Sequence, residues 1–423
     1  MKRLITILFL AAALCGTAFS QHRENPEFAR LLREDLSRAG VSTHSYEFDP
    51  VSDTKAPRGF KPFYISHYGR HGSRSDWWAE AYAEVRDILE KAKVEGNLTA
   101  EGEEFLGETL TVIANHNGMN GRLTPKGARE HEQIARRMFK RYRRVFTRGN
   151  HRIRSISSVA PRCIISMTGF TSRLSKLCPK LDFYWDSGET LQKYISSDAT
   201  PWAWKESEKE LKELRDSFNP DTTTILSTLF KDPEAARKDI QSPRDFQERL
   251  LHVARTADAF EMTPSPFRHF PFEVVYDFCT YYSVEMYLRQ NNSAEYGDNR
   301  MPEGKPLVMD IIGKADEVIQ KGTYAADLRF GHDYGLMGLV GYLGIEGVGD
   351  RLTATEARDV WFGPQRIPFA SNLQMIFYRN SKGEVLVKFL YNEKEAYLSG
   401  LGSYSGPYYR WEDVKAHTLA KNY

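Results

Sequence analysis

The sequence predicts an α/β fold: a sheet flanked by helices and interrupted by a long, mainly helical insertion. Three observations predict it. An aromatic and β-branched run, Pro62-Phe63-Tyr64-Ile65-Ser66-His67-Tyr68, ends in Gly69 and the polar loop Arg70-His71-Gly72. Strand-like runs then alternate with stretches of helical period, the order expected of strands joined by crossover helices. From about Leu174 to Met301 the texture changes to charged helical stretches with short Pro-containing breaks.

Met1 to Ser20 opens with Lys2 and Arg3, continues with an apolar run from Leu4 to Cys15, and ends in small residues before Gln21. This is the pattern of a removable export signal, and the apolar run falls short of the about 20 residues a bilayer span needs. Leu14 stands where a lipid-modified Cys15 would need a small residue, which argues against a lipid anchor.

The strand at 62–68 delivers its loop to the rim of the sheet, and in open α/β sheets ligands sit at the carboxyl edge. A helix is expected from Asp76 to Lys93, with Asp76 as its cap and Trp78, Tyr82, Val85 and Leu89 at three- and four-residue steps. Thr124-Pro125 starts another, with Thr124 as N-cap and Pro125 at the first helical position. Its apolar stripe is Ile134, Met138, Tyr142 and Val145, and a run of arginines and lysines from Arg136 to Arg148 forms a solvated face. Ile153 to Ser158 alternates as a second strand and feeds a helix carrying Arg162 and Ser166.

Helical stretches follow at Trp204 to Phe218, Pro233 to Ile240 and Pro243 to Phe260. Sheet signals return at Ala326 to Phe330, Leu373 to Tyr378 and Val385 to Tyr391, the last two joined by the turn Asn380-Ser381-Lys382-Gly383. The expected organisation is therefore a signal at 1–20, a core from 21–173 and 302–423, and a helical cap at 174–301, with a shorter helical excursion at about 76–120.

Charge excludes one class of partner. The 423 residues carry 58 Lys and Arg against 56 Asp and Glu; losing Lys2 and Arg3 with the signal leaves 56 against 56. A neutral chain is a poor general polyanion binder, and no nucleic-acid motif accompanies the basic helix. Past Ser20 no stretch is long and apolar enough to span a membrane, so a soluble, exported chain is expected, periplasmic or extracellular. Cys163, Cys178 and Cys279 allow one disulfide at most, Cys163 with Cys178 being the nearest pair in sequence. Without a C-x-x-C or a His pair at helical spacing, a structural zinc site is not expected.

The chemistry concentrates in Arg70-His71-Gly72-Ser73-Arg74, Arg162 and His332-Asp333. Taken singly, these residues read as surface charges and structural hydrogen bonders. A fixed Arg-His-Gly-x-Arg string, however, arises by chance in a chain of this length at about three in a thousand, and here it follows a strand. The chain resembles the histidine phosphatase superfamily in its acid phosphatase and phytase branch, which includes the multiple inositol polyphosphate phosphatases. The matching pieces are Arg70 to Arg74, Leu123-Thr124-Pro125-Lys126-Gly127, Ser158 with Arg162 and Ser166, Gly331-His332-Asp333 with Leu343-Gly344, and Ile367 to Asn372.

The resemblance implies a three-layer core, a mixed and mostly parallel sheet flanked by helices, with an inserted helical cap. It also implies phosphomonoester hydrolysis without metal or cofactor. His71 would attack phosphorus and form a phosphohistidine, and Arg70, Arg74, Arg162 and His332 would hold the phosphate oxygens. Asp333 would protonate the leaving alcohol and then take a proton from water, although it could also cap the helix beginning near Tyr334. Nearby arginines should hold His71 below its ordinary pKa of about 6.5, whereas Asp333 must stay protonated until transfer, which predicts an acidic to near-neutral optimum.

Two departures bear on substrate. Ser75-Asp76 stands where many relatives have Pro two residues after the second arginine, and a carboxylate there could repel a highly phosphorylated ring. Asp333 directly follows His332, as in phytases and acid phosphatases, where inositol polyphosphate phosphatases usually have Ala and then Glu. Arg154 and Arg329, with Arg152, are candidates for further phosphates. Their presence in the pocket would favour inositol phosphates and their absence simpler monoesters such as sugar phosphates. Trp77, Trp78 and Tyr68 flank the loop, for ring stacking or for core packing. The expected ligand is an inositol polyphosphate; a broad acid phosphatase and an inactive phosphate-binding scaffold are the alternatives. The sequence does not specify an oligomeric state.

Overall fold

A computed structural model describes residues 24–50, 52–77, 82–195, 205–218 and 221–421. The expected signal at 1–20, Trp78 and Trp204 lie outside the described residues. Eight strands form one mixed sheet: β1 (Lys61–Arg70), β2 (Arg152–Ser157), β3 (Asp182–Asp186), β4 (Ala326–Gly331), β5 (Asn372–Arg379), β6 (Val385–Tyr391), β7 (Lys394–Ala396) and β8 (Tyr408–Arg410). The order is β3-β2-β4-β1-β5-β6-β7, with β8 against β6. β1 to β4 run parallel and the β5–β6 hairpin continues antiparallel beside β1. The carboxyl ends of β1, β2 and β4 therefore share one edge.

Alternation along the strands builds two buried faces. Ile65, Leu328, Phe330 and Ile376 pack with Ile134, Met138, Met167, Phe170 and Leu174. These belong to α4 (Pro125–Arg141) and α5 (Pro161–Leu177), with Thr124 capping α4 through the Gly127 amide as expected. The opposite face, with Tyr64, Tyr68, Met375 and Phe377, joins one cluster with Val308, Ile311, Leu336, Leu339 and Trp411. These come from α10 (Gly297–Lys321), α11 (Asp333–Leu343) and α12 (Trp411–Leu419).

The insertion supplies α6 (Glu208–Ser217), α7 (Thr222–Leu229), α8 (Pro243–Ala257) and α9 (Phe272–Gln290). Earlier in the chain lie α1 (Pro26–Glu34), α2 (Ala83–Val94) and α3 (Ala100–His116). Leu226, Leu250 and Val275 of the insertion belong to the same apolar cluster as β5, so the cap shares the core of the sheet layer.

Three local expectations are corrected. The helix expected from Asp76 is, among the described residues, α2 from Ala83, and the Asp76 carboxylate accepts from the Trp77 amide and the Tyr82 hydroxyl. The Gly121 amide donates to the Asp76 carbonyl, tying that residue to the neighbouring turn. Second, the boundary at 174 precedes a core strand, since β3 pairs in parallel with β2. Third, Pro233 to Ile240 contains only one helical turn, Pro233–Ala236.

Cys163, Cys178 and Cys279 are buried free thiols. Cys163 lies in the first turn of α5 and Cys178 is its C-cap, which sets them about 22 Å apart at 1.5 Å per residue, far beyond disulfide reach.

Candidate active site

The loop after β1 is clamped from three sides. The His71 amide donates to Gly331 at the end of β4, and its carbonyl accepts from Ala370. Gly72 lies against the start of α4, so close that a Cβ on it would sit 2.3 Å from the Gly127 carbonyl oxygen, and its amide donates to Ser166 Oγ. Ser73 gives both its amide and its hydroxyl to the buried Glu130 carboxylate, each at 2.7 Å. This framework fixes His71, only 2% exposed, at the sheet edge.

The ring of His71 has one assignable proton. Nδ1 lies 3.0 Å from the Gly72 carbonyl, which can only accept, so Nδ1 carries the hydrogen and Nε2 keeps a lone pair. Burial, reinforced by Arg70, Arg162, Arg74 and His332, pushes the imidazole pKa well below its ordinary value. The neutral, nucleophilic form expected from the sequence is therefore the stable one.

Three arginines crowd this ring. Arg70 Nη1 donates to the Ser42 and Ile367 carbonyls at 2.6 and 2.9 Å, and Nη2 to Asp333 at 3.0 Å. Arg162, in the first turn of α5, donates from Nη2 to His332 Nδ1 at 3.1 Å. Arg74 donates to the Ser75 carbonyl and lies 3.9 Å from Asp76. Burial, opposed by Asp76 and added to by Arg162 and Arg70, lowers Arg74 to about 10, so it stays charged. The Nε–H groups of all three are buried and meet no acceptor among the described residues. Orphaned cationic donors around a neutral imidazole are the complement of an anion with several oxygens.

His332 and Asp333 come from the junction of β4 with α11. His332 is at the N-cap position and Asp333 is the first helical residue, where its Oδ1 accepts from the first-turn amide of Tyr334 at 3.0 Å. His332 accepts from Arg162 at Nδ1, which places its proton on Nε2, 3.0 Å from Ser158 Oγ. Both nitrogens are thus engaged, and burial and Arg162 lower the ring to about 3. Burial would raise the Asp333 carboxyl, but Arg70, with His332, Arg74 and the Tyr334 amide, holds it below the ordinary value. The expectation of a protonated Asp333 is not met in this arrangement, where the group is a carboxylate paired with Arg70.

Arg154 and Arg329 do not join the cluster. Arg329 is fully buried and reaches Asp310 on α10 and Ser66 Oγ on β1, because its place in β4 points it to the α10 face. Arg154 pairs with Asp327 and Glu317 beneath the Tyr324 ring. Arg152 is largely exposed beside Tyr324 and Asp182. Tyr68 is buried, its hydroxyl donating to the Ile195 carbonyl. Sequence reasoning missed Glu130, although it shares the α4 stripe of Gly127, His131 and Ile134, where a carboxylate has no solvated place. It also missed Arg255 of α8, which donates to Thr43 and Ser42 beside the Arg70 anchor.

The model of the histidine phosphatase superfamily (branch 2) matches residues 69–392, and the chain belongs to that superfamily. Curated protein sequences give no match. Among solved structures, the Bifidobacterium longum multiple inositol polyphosphate phosphatase in complex with inositol hexasulfate aligns with a TM-score of 0.66 at 19% identity, over 90% of this chain and 98% of that one. The phytase from D. castellii aligns at 0.65 and 14% identity, over 96% and 90%. The Hafnia alvei phytase apo form aligns at 0.55 and 12%, over 86% and 98%. At these identities the likeness is one of fold.

Proposed function

We propose that this histidine phosphatase superfamily chain is an exported, metal-independent phosphomonoesterase that hydrolyses inositol polyphosphates through a phosphohistidine. The single observation carrying the chemistry is a neutral His71, its proton held on Nδ1 and its lone pair on Nε2, among three arginines whose Nε donors meet no acceptor among the described residues. Arginine forks bind the phosphoryl oxygens, Nε2 attacks phosphorus, and the bond to the leaving oxygen breaks. A dianionic phosphate on Arg70 offsets the charge that keeps Asp333 ionised, so substrate binding raises the Asp333 pKa toward the protonated state needed for donation. In the second step water attacks phosphorus, its proton passes to the Asp333 carboxylate, the phosphorus–nitrogen bond breaks, and phosphate leaves.

The inositol class is supported by what the similar folds are named for. A second reading, a phosphatase of simpler esters such as sugar phosphates, is favoured by the internal pairing of Arg154 and Arg329 and by Asp76 beside Arg74. Phosphate release by the purified chain from phytate, glucose 1-phosphate and an aryl phosphate, with chelator present, separates the readings. Preference for phytate supports the first and preference for glucose 1-phosphate the second. Silence on all three contradicts the enzyme, and loss of activity with chelator contradicts metal independence.

A further inference from the structure

We infer that Trp77 is a positioning residue of the phosphate cradle, its indole holding the guanidinia of Arg74 and Arg162 ready for the incoming anion. The inference rests on the phosphate-binding reading of those arginines. Both guanidinium carbons lie over the Trp77 ring, 5.3 Å from its centroid for Arg74 and 4.7 Å for Arg162. The ring is 44% exposed, so core packing does not account for it.

Its place is nonetheless built. The Trp77 amide donates to Asp76 at 2.7 Å. The ring lies against Gly121, where a Cβ would come within 2.6 Å of it and where φ is +62°, a conformation glycine adopts without strain.

The cradle has an electrostatic problem that an indole solves. Arg74 and Arg162 repel each other, and Asp76 is 3.9 Å from Arg74. A second carboxylate placed to quiet Arg162 would occupy its N–H donors and oppose a phosphate dianion. An aromatic face attracts a guanidinium through its quadrupole without accepting any of those hydrogen bonds. Trp77 therefore restrains two like charges side by side while their buried Nε–H donors keep no acceptor among the described residues.

The test uses the full chain with Trp77→Leu, which keeps apolar bulk without a π face, and Trp77→Phe, which restores one. Calorimetric titration with inorganic phosphate is read beside KM and kcat on an aryl phosphate. Loss of two partly exposed cation–π contacts should raise the phosphate Kd and KM of the Leu variant together, about tenfold, with kcat little changed. The Phe variant should recover most of the difference. An unchanged phosphate Kd in the Leu variant, a fall in kcat alone, or a Phe variant as weak as Leu would overturn the inference. Wild-type chain that binds phosphate but hydrolyses no ester would contradict the proposed function and leave this inference standing.

Discussion

Replacing Gly72 by Ala probes how tightly the loop that carries His71 is seated. The added Cβ would stand 2.3 Å from the Gly127 oxygen and 2.7 Å from both its carbonyl and α carbons, against an ordinary contact of at least 3.4 Å. All three are backbone atoms in the first turn of α4, so no side chain can rotate away. Loop and helix must separate by about 1 Å, while the bonds from Ser73 to Glu130 and from the Thr124 amide to Ser73 hold the far half of the loop. The shift therefore falls on His71. Misplacement of about 1 Å costs on the order of 10²-fold in rate, and overpacking of this kind about 1–3 kcal/mol in stability. We expect kcat/KM on an aryl phosphate to fall about 100-fold, with a melting temperature a few degrees lower. Gly107→Ala, in α3 with no atom within 4 Å of the new Cβ, is the control and should leave both unchanged or stabilise slightly. Wild-type kcat/KM in Gly72→Ala would refute the reasoning.

Three further predictions follow from groups around the site. Asp333→Asn should lower kcat on an alkyl phosphate by about 10²–10⁴ while sparing an aryl phosphate with a good leaving group, and the wild-type alkyl rate should fall as rising pH ionises Asp333; equal losses on both substrates would count against the donor role. Arg329→Met leaves Asp310 with a buried, weakened partner set and should cost about 3–5 kcal/mol in denaturant unfolding with KM unchanged, whereas a raised KM at full stability would restore Arg329 to the substrate site. His44, held at about 9 by Asp258 and Glu47 against burial, is raised above its ordinary 6.5, so its contribution of about 3 kcal/mol is complete below pH 6.5 and lost as pH rises through 9; His44→Gln should remove that slope from the stability–pH curve, and an unchanged slope would assign it elsewhere.

The parts of this molecule legible in the sequence are those written in local pattern. The β1 run, the Thr124-Pro125 helix start and the hairpin at 380–383 each carry their own signal, and His71 and Arg70 follow from a motif placed after a strand. The parts that stayed hidden depend on partners distant in sequence. β3 is a short edge strand with exposed Tyr184 and Trp185, so it lacks the buried alternation that marks a strand. Arg154 and Arg329 look like free cations until Asp327, Asp310 and Glu317 arrive from elsewhere in the chain. Asp76 has the chemistry of a helix cap, yet α2 begins at Ala83, and the bonds that Asp76 accepts from Tyr82 and from the Gly121 turn carry no local signal.

The central claim is that His71 becomes phosphorylated during turnover. It is tested most directly by quenching the full chain in denaturant within its first turnover of a phosphorus-labelled ester and mapping the label by peptide mass. An acid-labile, base-stable phosphate on the ring of His71, absent from His71→Asn, is expected. No protein-bound phosphate during active turnover, or label persisting on another residue in that variant, would contradict it.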